Sequence, residues 1–174
     1  MSTARIAAAF DEAVGDFSET MTALAEVGWE IAPTGTKWTA SGVTDHVVQS
    51  LESAAARLTS LGRPAEARVG AVRDRDIPYL FYQGEEPPGL FSPRTDRLDS
   101  AVALRALLAA AKNLRPILAA GTMSEWRAAG MAHPLFGWFD AAQWRLFTIA
   151  HLHRHRADLL ALHKLARESA ASAP

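Results

Sequence analysis

The sequence predicts an all-α protein: a four-helix bundle with a long crossover connection between the second and third long helices. Four long segments repeat apolar residues at the spacing of a helix face. The stretch between the second and third of them, residues 64–96, has no sustained period. No segment alternates apolar and polar residues as a half-buried strand would, so we expect no sheet.

The composition narrows the class of protein. A chain of 174 residues suits one domain, which we place at residues 1–168, followed by a disordered tail at 169–174. With 49% hydrophobic residues and a net charge of −1, the chain gives no reason to expect nucleic acid or a membrane surface as a partner. It has no cysteine, which excludes disulfides, thiolate ligands and a cysteine nucleophile. Without a signal-peptide core or a bilayer-length apolar run, we expect a cytoplasmic location.

The first two helices flank a short connector. Residues Thr3 to Val27 carry one apolar stripe and end at Gly28. The second helix begins near Trp38, with Thr39 or Ser41 as its candidate N-cap, and stops at Gly62 to Pro64.

The second helix places one histidine on its apolar stripe. His46 stands among valines and leucines, so we expect it to face inward. A single inward histidine is more often a hydrogen-bonded core residue than a metal ligand, and this helix alone leaves both interpretations open.

The crossover is rich in aromatic residues, among them Tyr79, Tyr82 and Phe91. A long irregular connection of this composition is more typical of a packed segment than of a flexible linker. We expect the stretch from Pro78 to Phe91 to fold over the open end of the bundle, where Tyr79 or Tyr82 would offer a hydroxyl to a bound ligand. An apolar plug that only closes the core fits the same residues equally well.

The last two long helices have clear start signals. Asp99 or Ser100 opens the third helix, in which Pro116 should produce a kink. Asp140 caps the final helix, which should run to about Glu168.

The final helix carries a histidine cluster. His151 and His155 are four residues apart and share one helix face, whereas His153 is turned by about 200° from His151 at 3.6 residues per turn. Imidazole pairs at this spacing suit Zn, Ni, Cu or Fe. They also occur on solvated basic faces, and Arg154 and Arg156 make this helix basic. Two ligands do not fix a metal, so a third must come from elsewhere in the chain.

Three segments of the chain, taken together and in their order along the sequence, resemble a known family. They are Trp38 to His46, His133 to Gly137, and His151 to His155, and together they resemble the DinB/YfiT-like superfamily of metal-dependent bundle proteins. The resemblance implies that His46, His151 and His155 bind one divalent metal, for which neutral imidazoles make Zn or Ni most suitable. It also implies that His133 belongs to the turn that starts the last helix.

The chain departs from the family pattern at Asp158, where many relatives carry glutamine. Asp158 can accept a hydrogen bond from a ligand imidazole or pair with Arg154 one helical turn away, and the sequence leaves both open. We assign no general base. The candidates for a catalytic role are Asp158, His133, Tyr79 and Tyr82.

Three imidazoles on one metal leave coordination positions open for water or substrate. The resemblance therefore implies a metal-dependent enzyme that activates a thiol or water, of the thiol transferase, isomerase or hydrolase type. Its substrate would be a small molecule, with a low-molecular-weight thiol as partner, and the protein would be a homodimer. Two alternatives remain: a non-catalytic, metal-bearing, small-molecule-binding or stress-related dimeric module, and a bundle that binds no metal.

Overall fold

Four long helices form the framework of the structure, a computed structural model that describes residues 2–32, 38–61, 72–82, 92–133 and 135–172. For residues 81 and 82 it describes the backbone alone. The elements in chain order are α1 (Thr3–Val27), α2 (Ala40–Thr59), a 3-10 helix (Asp74–Tyr82), α3 (Ser100–Ala119), α4 (Met123–Ala128), β1 (Gly130–His133), β2 (Gly137–Asp140) and α5 (Ala141–Ala171).

The long helices pack as a ring of neighbours. α1 packs on α3 and α5, and α2 packs on the same two helices, so the order around the bundle is α1, α3, α2, α5. This arrangement confirms the predicted all-α bundle and sets one face of α2 against one face of α5. Among the described residues, no helix is both long enough and apolar enough to span a bilayer.

The first helix shows how the apolar stripe builds the core. Along one face of α1, large apolar residues follow one another at intervals of seven: Phe10, Phe17 and Leu24, all of them buried. The helix has the predicted bounds, and the Gly28 N–H donates to the Leu24 carbonyl at its end (2.9 Å). A Cβ on Gly28 would lie 2.8 Å from the Cβ of Ala166, so the end of α1 lies almost in contact with α5.

The crossover is less irregular than the sequence indicates. Asp74–Tyr82 forms a 3-10 helix with Pro78 inside it. Ile77 and Leu80 are both buried, and residues three apart lie on the same side of a 3-10 helix. A nine-residue element with a period of three leaves too few repeats to be recognised in sequence. Residues 62–71 and 83–91 lie outside the described part of the chain.

A two-stranded antiparallel hairpin precedes α5, and the expectation of no sheet was therefore wrong. It pairs Gly130 with Asp140 and His133 with Gly137. Each strand has four residues, too few to show alternation in the sequence. A Cβ on Gly130 would lie 2.3 Å from the Phe139 carbonyl oxygen, so only glycine allows the two strands to approach this closely.

The helix caps confirm most of the predicted boundaries. Asp99 accepts from backbone N–H groups at the start of α3, and Asp140 forms a capping box with Gln143 at the start of α5. Pro116 lies inside α3, which continues to Ala119. α5 continues to Ala171, so residues 169–171 are helical where the sequence predicted the start of a disordered tail. Two of those three residues are alanine, which favours helix.

A buried arginine on α5 caps the end of α3. Arg145 is 4% exposed and donates to the carbonyls of Leu118 (3.1 Å), Ile117 (2.9 Å) and Ala141 (2.8 Å). Its guanidinium lies 4.0 Å from the ring centroid of Trp126. Burial lowers the pKa of Arg145 to about 10, which leaves it cationic at neutral pH. A cation that bonds the last carbonyls of a helix satisfies groups that have no partner within that helix.

We expect Arg145→Met to lower the free energy of unfolding by about 2–3 kcal/mol, because methionine fills the apolar space but leaves buried carbonyls without a donor. Urea unfolding measures the change. The matched control is Arg115→Met, which breaks an exposed ion pair with Asp11 and should leave the free energy of unfolding almost unchanged. Equal losses in the two variants would contradict the capping role.

Candidate metal centre

Trp38, Gly42 and His46 are spaced four residues apart around the start of α2, and this spacing places the first histidine. Thr39 caps the helix by accepting from the Gly42 N–H (3.2 Å). A Cβ on Gly42 would lie 2.9 Å from the Cβ of Trp38, so glycine lets the tryptophan lie against the first turn. The Trp38 and His46 rings are then 4.8 Å apart between centroids, and His46 is only 5% exposed. A residue unfavourable to helix is thus used for close packing.

An ion pair holds the segment that precedes α3 against the same turns of α2. Asp45 is 3% exposed and receives hydrogen bonds from Arg94 through Nη2 (2.7 Å) and Nε (3.1 Å). Gln49 bridges Asp45 Oδ2 and the Ser92 carbonyl, at 3.1 Å to each. Burial raises the pKa of Asp45, but the hydrogen bonds from Arg94 outweigh it and the net pKa is lowered. Because Asp45 precedes His46, these contacts fix the turn that carries the histidine.

The structure brings His46, His151 and His155 together. Nε2 of His151 lies 3.1 Å from Nε2 of His46 and 3.0 Å from Nε2 of His155. His155 is 1% exposed, His151 is half-buried, and His153 is exposed, as their helix positions predict. The rings of His151 and His155 are nearly perpendicular, at 88°.

These three nitrogens fit one cation. Ligands bound at 2.0–2.1 Å are about 3.3 Å apart in a tetrahedral site and about 2.9 Å apart on one face of an octahedral site. The observed distances of 3.0 and 3.1 Å fall between these values. A single proton can bridge only one pair of nitrogens, whereas one metal ion can accept a lone pair from all three. The ligand atoms of the triad all lie within 4.8 Å of one another, so these residues could hold a metal ion.

The electrostatics keep His151 neutral. Burial lowers its pKa well below the usual value, and the neighbouring charges of His155, His46, His133 and Arg154 act in the same direction. An imidazole must be unprotonated at the ligating nitrogen, so the local environment favours the ligand form.

Asp158 makes both contacts that the sequence left as alternatives. One carboxylate oxygen, Oδ2, lies 2.9 Å from Nδ1 of His155, and the other, Oδ1, accepts from Nη1 of Arg154 at 2.6 Å. Burial raises the pKa of Asp158, but the hydrogen bond from His155 and the charge of Arg154 outweigh it, so the net pKa is lowered. The carboxylate therefore lies directly behind one of the three histidines.

His133 is the last residue of β1 and pairs with Gly137, so β2 lies between it and α5, whereas the resemblance implied that it belongs to the turn that starts the last helix. Its Nδ1 accepts from the Leu135 N–H (3.2 Å), and its ring is packed against that of Phe147 at 4.7 Å between centroids. Phe147 in turn stacks on His151 at 5.9 Å. Burial lowers the pKa of His133 to about 4, so it is neutral at pH 7. His133 reaches the triad through an aromatic ring.

Tyr79 lies beside a different part of α5. It is 62% exposed and lines a pocket together with Leu146, Ile149 and His153, on the helix side that carries the exposed histidine. Tyr82 ends the 3-10 helix, and its side chain and residues 83–91 lie outside the described part of the chain. The buried residues of the 3-10 helix close the core, as the plug interpretation expects. That residues 81–91 fold over the histidines stays a prediction.

Two aromatic residues beside the site were not assigned to it from sequence. Trp38, whose ring centroid lies 4.8 Å from that of His46 and 6.4 Å from that of His155, was named from the sequence only as the start of the second helix and of a family-like segment. The four-residue spacing of Trp38, Gly42 and His46 is the signal that could have found it. Phe147 is four residues before His151 and could have been found in the same way.

The comparisons with known proteins agree with this geometry. The sequence profile of the DinB superfamily matches residues 9–159, a span that includes all three histidines. No curated protein and no solved structure matches this chain.

We expect the purified protein to bind about one divalent ion per chain, since three imidazole nitrogens converge on one point. His46→Ala, His151→Ala and His155→Ala should each reduce occupancy sharply, as measured by elemental analysis after dialysis. The matched control is His153→Ala, on the same helix but exposed, which should keep the wild-type metal content. If His153→Ala lost the metal while His151→Ala retained it, the assignment of His151 to the metal-binding face of the helix would be wrong.

We expect Gly42→Ala to destabilise the protein, although alanine is the better helix former, because the new Cβ would meet the Trp38 side chain at 2.9 Å. Thermal unfolding followed by circular dichroism measures the change in stability. Gly15→Ala, within α1, is the matched control. A Cβ at this position meets open space, so alanine should raise the free energy of unfolding by about 0.5–1 kcal/mol. A stabilising Gly42→Ala would show that Trp38 does not need the glycine.

Proposed function

Since the chain belongs to the DinB superfamily, we propose that it is a metal-dependent enzyme in which His46, His151 and His155 hold one divalent ion that activates a thiol or water. The observation that carries the proposal is the position of Nε2 of His151, which lies 3.1 Å from Nε2 of His46 and 3.0 Å from Nε2 of His155. Zn or Ni suits an all-imidazole set best, and the absence of cysteine leaves nitrogen and oxygen as the available ligands. An ion held by three imidazoles supplies Lewis acidity, which makes water or a thiol more acidic.

The exposure of the three histidines indicates where a substrate would enter. His46 and His155 are buried, and His151 alone is half-buried. We take the side of His151, where Phe147 stacks on its ring, as the side from which a substrate would enter. Trp38 limits the opposite side through its contacts with His46 and His155. An opening with an aromatic wall fits a small organic substrate.

The surroundings of Asp158 and His133 argue against either as the proton-transfer group. Both oxygens of Asp158 already have partners, and His133 packs on the ring of Phe147 while its Nδ1 accepts from the Leu135 N–H. Acid–base catalysis needs a group within hydrogen-bond reach of the substrate. We therefore propose that the chain supplies the ligands and the shape of the site, and that the incoming thiol or water releases its proton to solvent water.

We expect the metal-loaded protein to accelerate either transfer of a low-molecular-weight thiol to an electrophile or hydrolysis of a small activated ester or amide. A panel of both substrate classes, each assayed with wild type and His151→Ala, tests this. Loss of the metal's transition-state stabilisation should reduce the rate about 100-fold or more. The control is again His153→Ala, which should keep the wild-type rate.

Equal rates for wild type and His151→Ala across the panel would contradict the catalytic proposal. If thiols then shift the melting temperature of the metal-loaded protein without being turned over, the non-catalytic binding module accounts for the site.

We further propose that the protein is a homodimer. α3 carries exposed apolar side chains at Val102 and Leu108, and Leu160 is exposed on α5. Light scattering at micromolar concentration should give twice the mass of 18.8 kDa, and a monomer mass would contradict the proposal.

A further inference from the structure

A short hydrogen-bonded chain on α5 runs from Arg154 through Asp158 to His155. We infer that Asp158, held by Arg154, is a positioning residue that fixes His155 in the Nδ1–H tautomer and so directs its Nε2 lone pair at His46 and His151. That a metal uses this lone pair rests on the proposed function. The tautomer itself does not depend on that function.

The tautomer follows from the chemistry of the contact. A carboxylate can only accept hydrogen bonds, and a neutral imidazole has one N–H and one lone pair. Since Asp158 Oδ2 lies 2.9 Å from Nδ1 of His155, the proton belongs on Nδ1. Nε2 of the same ring then carries the lone pair, and it is this atom that lies 3.0 Å from Nε2 of His151.

Arg154 fixes the carboxylate itself. It binds Oδ1 at 2.6 Å while His155 binds Oδ2, so each oxygen has its own partner and the group cannot turn without losing one of them. The charge of the guanidinium, which lies 2.6 Å from Oδ1, also favours the ionised form of Asp158. An ionised acceptor makes the stronger hydrogen bond to the ring N–H.

The spacing makes this arrangement local to one helix. Asp158 is three residues after His155 and four after Arg154, so all three side chains lie on neighbouring turns of α5. The hydrogen bond that orients His155 is therefore formed within α5, without a residue from α2. On the other side of the ring, Trp38 at 6.4 Å and an interplanar angle of 30° limits the same rotation.

The experiment compares Asp158→Ala, Asp158→Asn and wild type, with Asp11→Asn as the matched control. Asp11 pairs with Arg115 between α1 and α3, so the control breaks an Asp–Arg ion pair at the surface. The first measurement is the long-range ¹H–¹⁵N spectrum of the metal-free protein, which distinguishes the two neutral tautomers of His155. The second is the dissociation constant for Zn²⁺ in a competition assay with a chelating dye.

We expect wild type and Asp11→Asn to show His155 as the Nδ1–H tautomer. Asp158→Ala should populate the Nε2–H tautomer, because the acceptor at Nδ1 is gone. Asp158→Asn should keep the Nδ1–H tautomer, because its amide oxygen still accepts. Zn²⁺ affinity should fall about 10–100-fold in Asp158→Ala and by less in Asp158→Asn, as is usual when the hydrogen-bond partner of a ligand histidine is lost.

An unchanged His155 tautomer in Asp158→Ala would overturn the inference and leave Asp158 as one partner of an ordinary helix-surface ion pair. If that variant does not fold, Arg154→Met with Asp158 intact provides the second test. In that variant the carboxylate loses its hydrogen bond from Arg154. A dissociation constant for Zn²⁺ within twofold of the wild-type value would overturn the role given to Arg154. The tautomer needs no metal and no activity, so it decides the inference even if wild type binds no Zn²⁺, a result that would contradict the proposed function alone.

Discussion

Three imidazole rings meet between α2 and α5, and the cost of burying their polar nitrogens is the constraint on which the site depends. A buried polar group without a partner destabilises a fold by about 1–3 kcal/mol. Here the ring nitrogens are directed at one another across the helix interface, and His155 has Asp158 behind it. The polar atoms thus share one point in a bundle that is otherwise packed with apolar side chains. A metal ion bound at that point would satisfy all three nitrogens at once.

Contacts elsewhere in the bundle hold α2 and α5 in place. On the α2 side, Arg94 and Asp45 fasten the segment before α3 onto the turn that carries His46. On the α5 side, Asp140 starts the helix and Arg145 ties it to the end of α3. These contacts lie at both ends of the interface. A catalytic group needs this kind of support, because small displacements of a ligand weaken binding and rate.

Local signals made much of this predictable from sequence. The caps at Thr39, Asp99 and Asp140 depend on one side chain and a neighbouring turn, and all three were among the predicted start positions. The shared face of His151 and His155 follows from helix geometry alone. The short hairpin and the 3-10 helix were missed because each is too short for its period to be recognised.

The sequence by itself determined the helical class, the bounds of the long helices and the pairing of two histidines on one helix face, because these depend on residues within a few turns of one another. Resemblance to a family, rather than periodicity, singled out His46 as their partner. Only the tertiary structure decided that Nε2 of His46 meets Nε2 of His151, that Asp158 binds both Arg154 and His155, and that Phe147 contacts both His133 and His151. Distances between side chains on different helices depend on how the helices pack, and packing is set by the shape of the whole core.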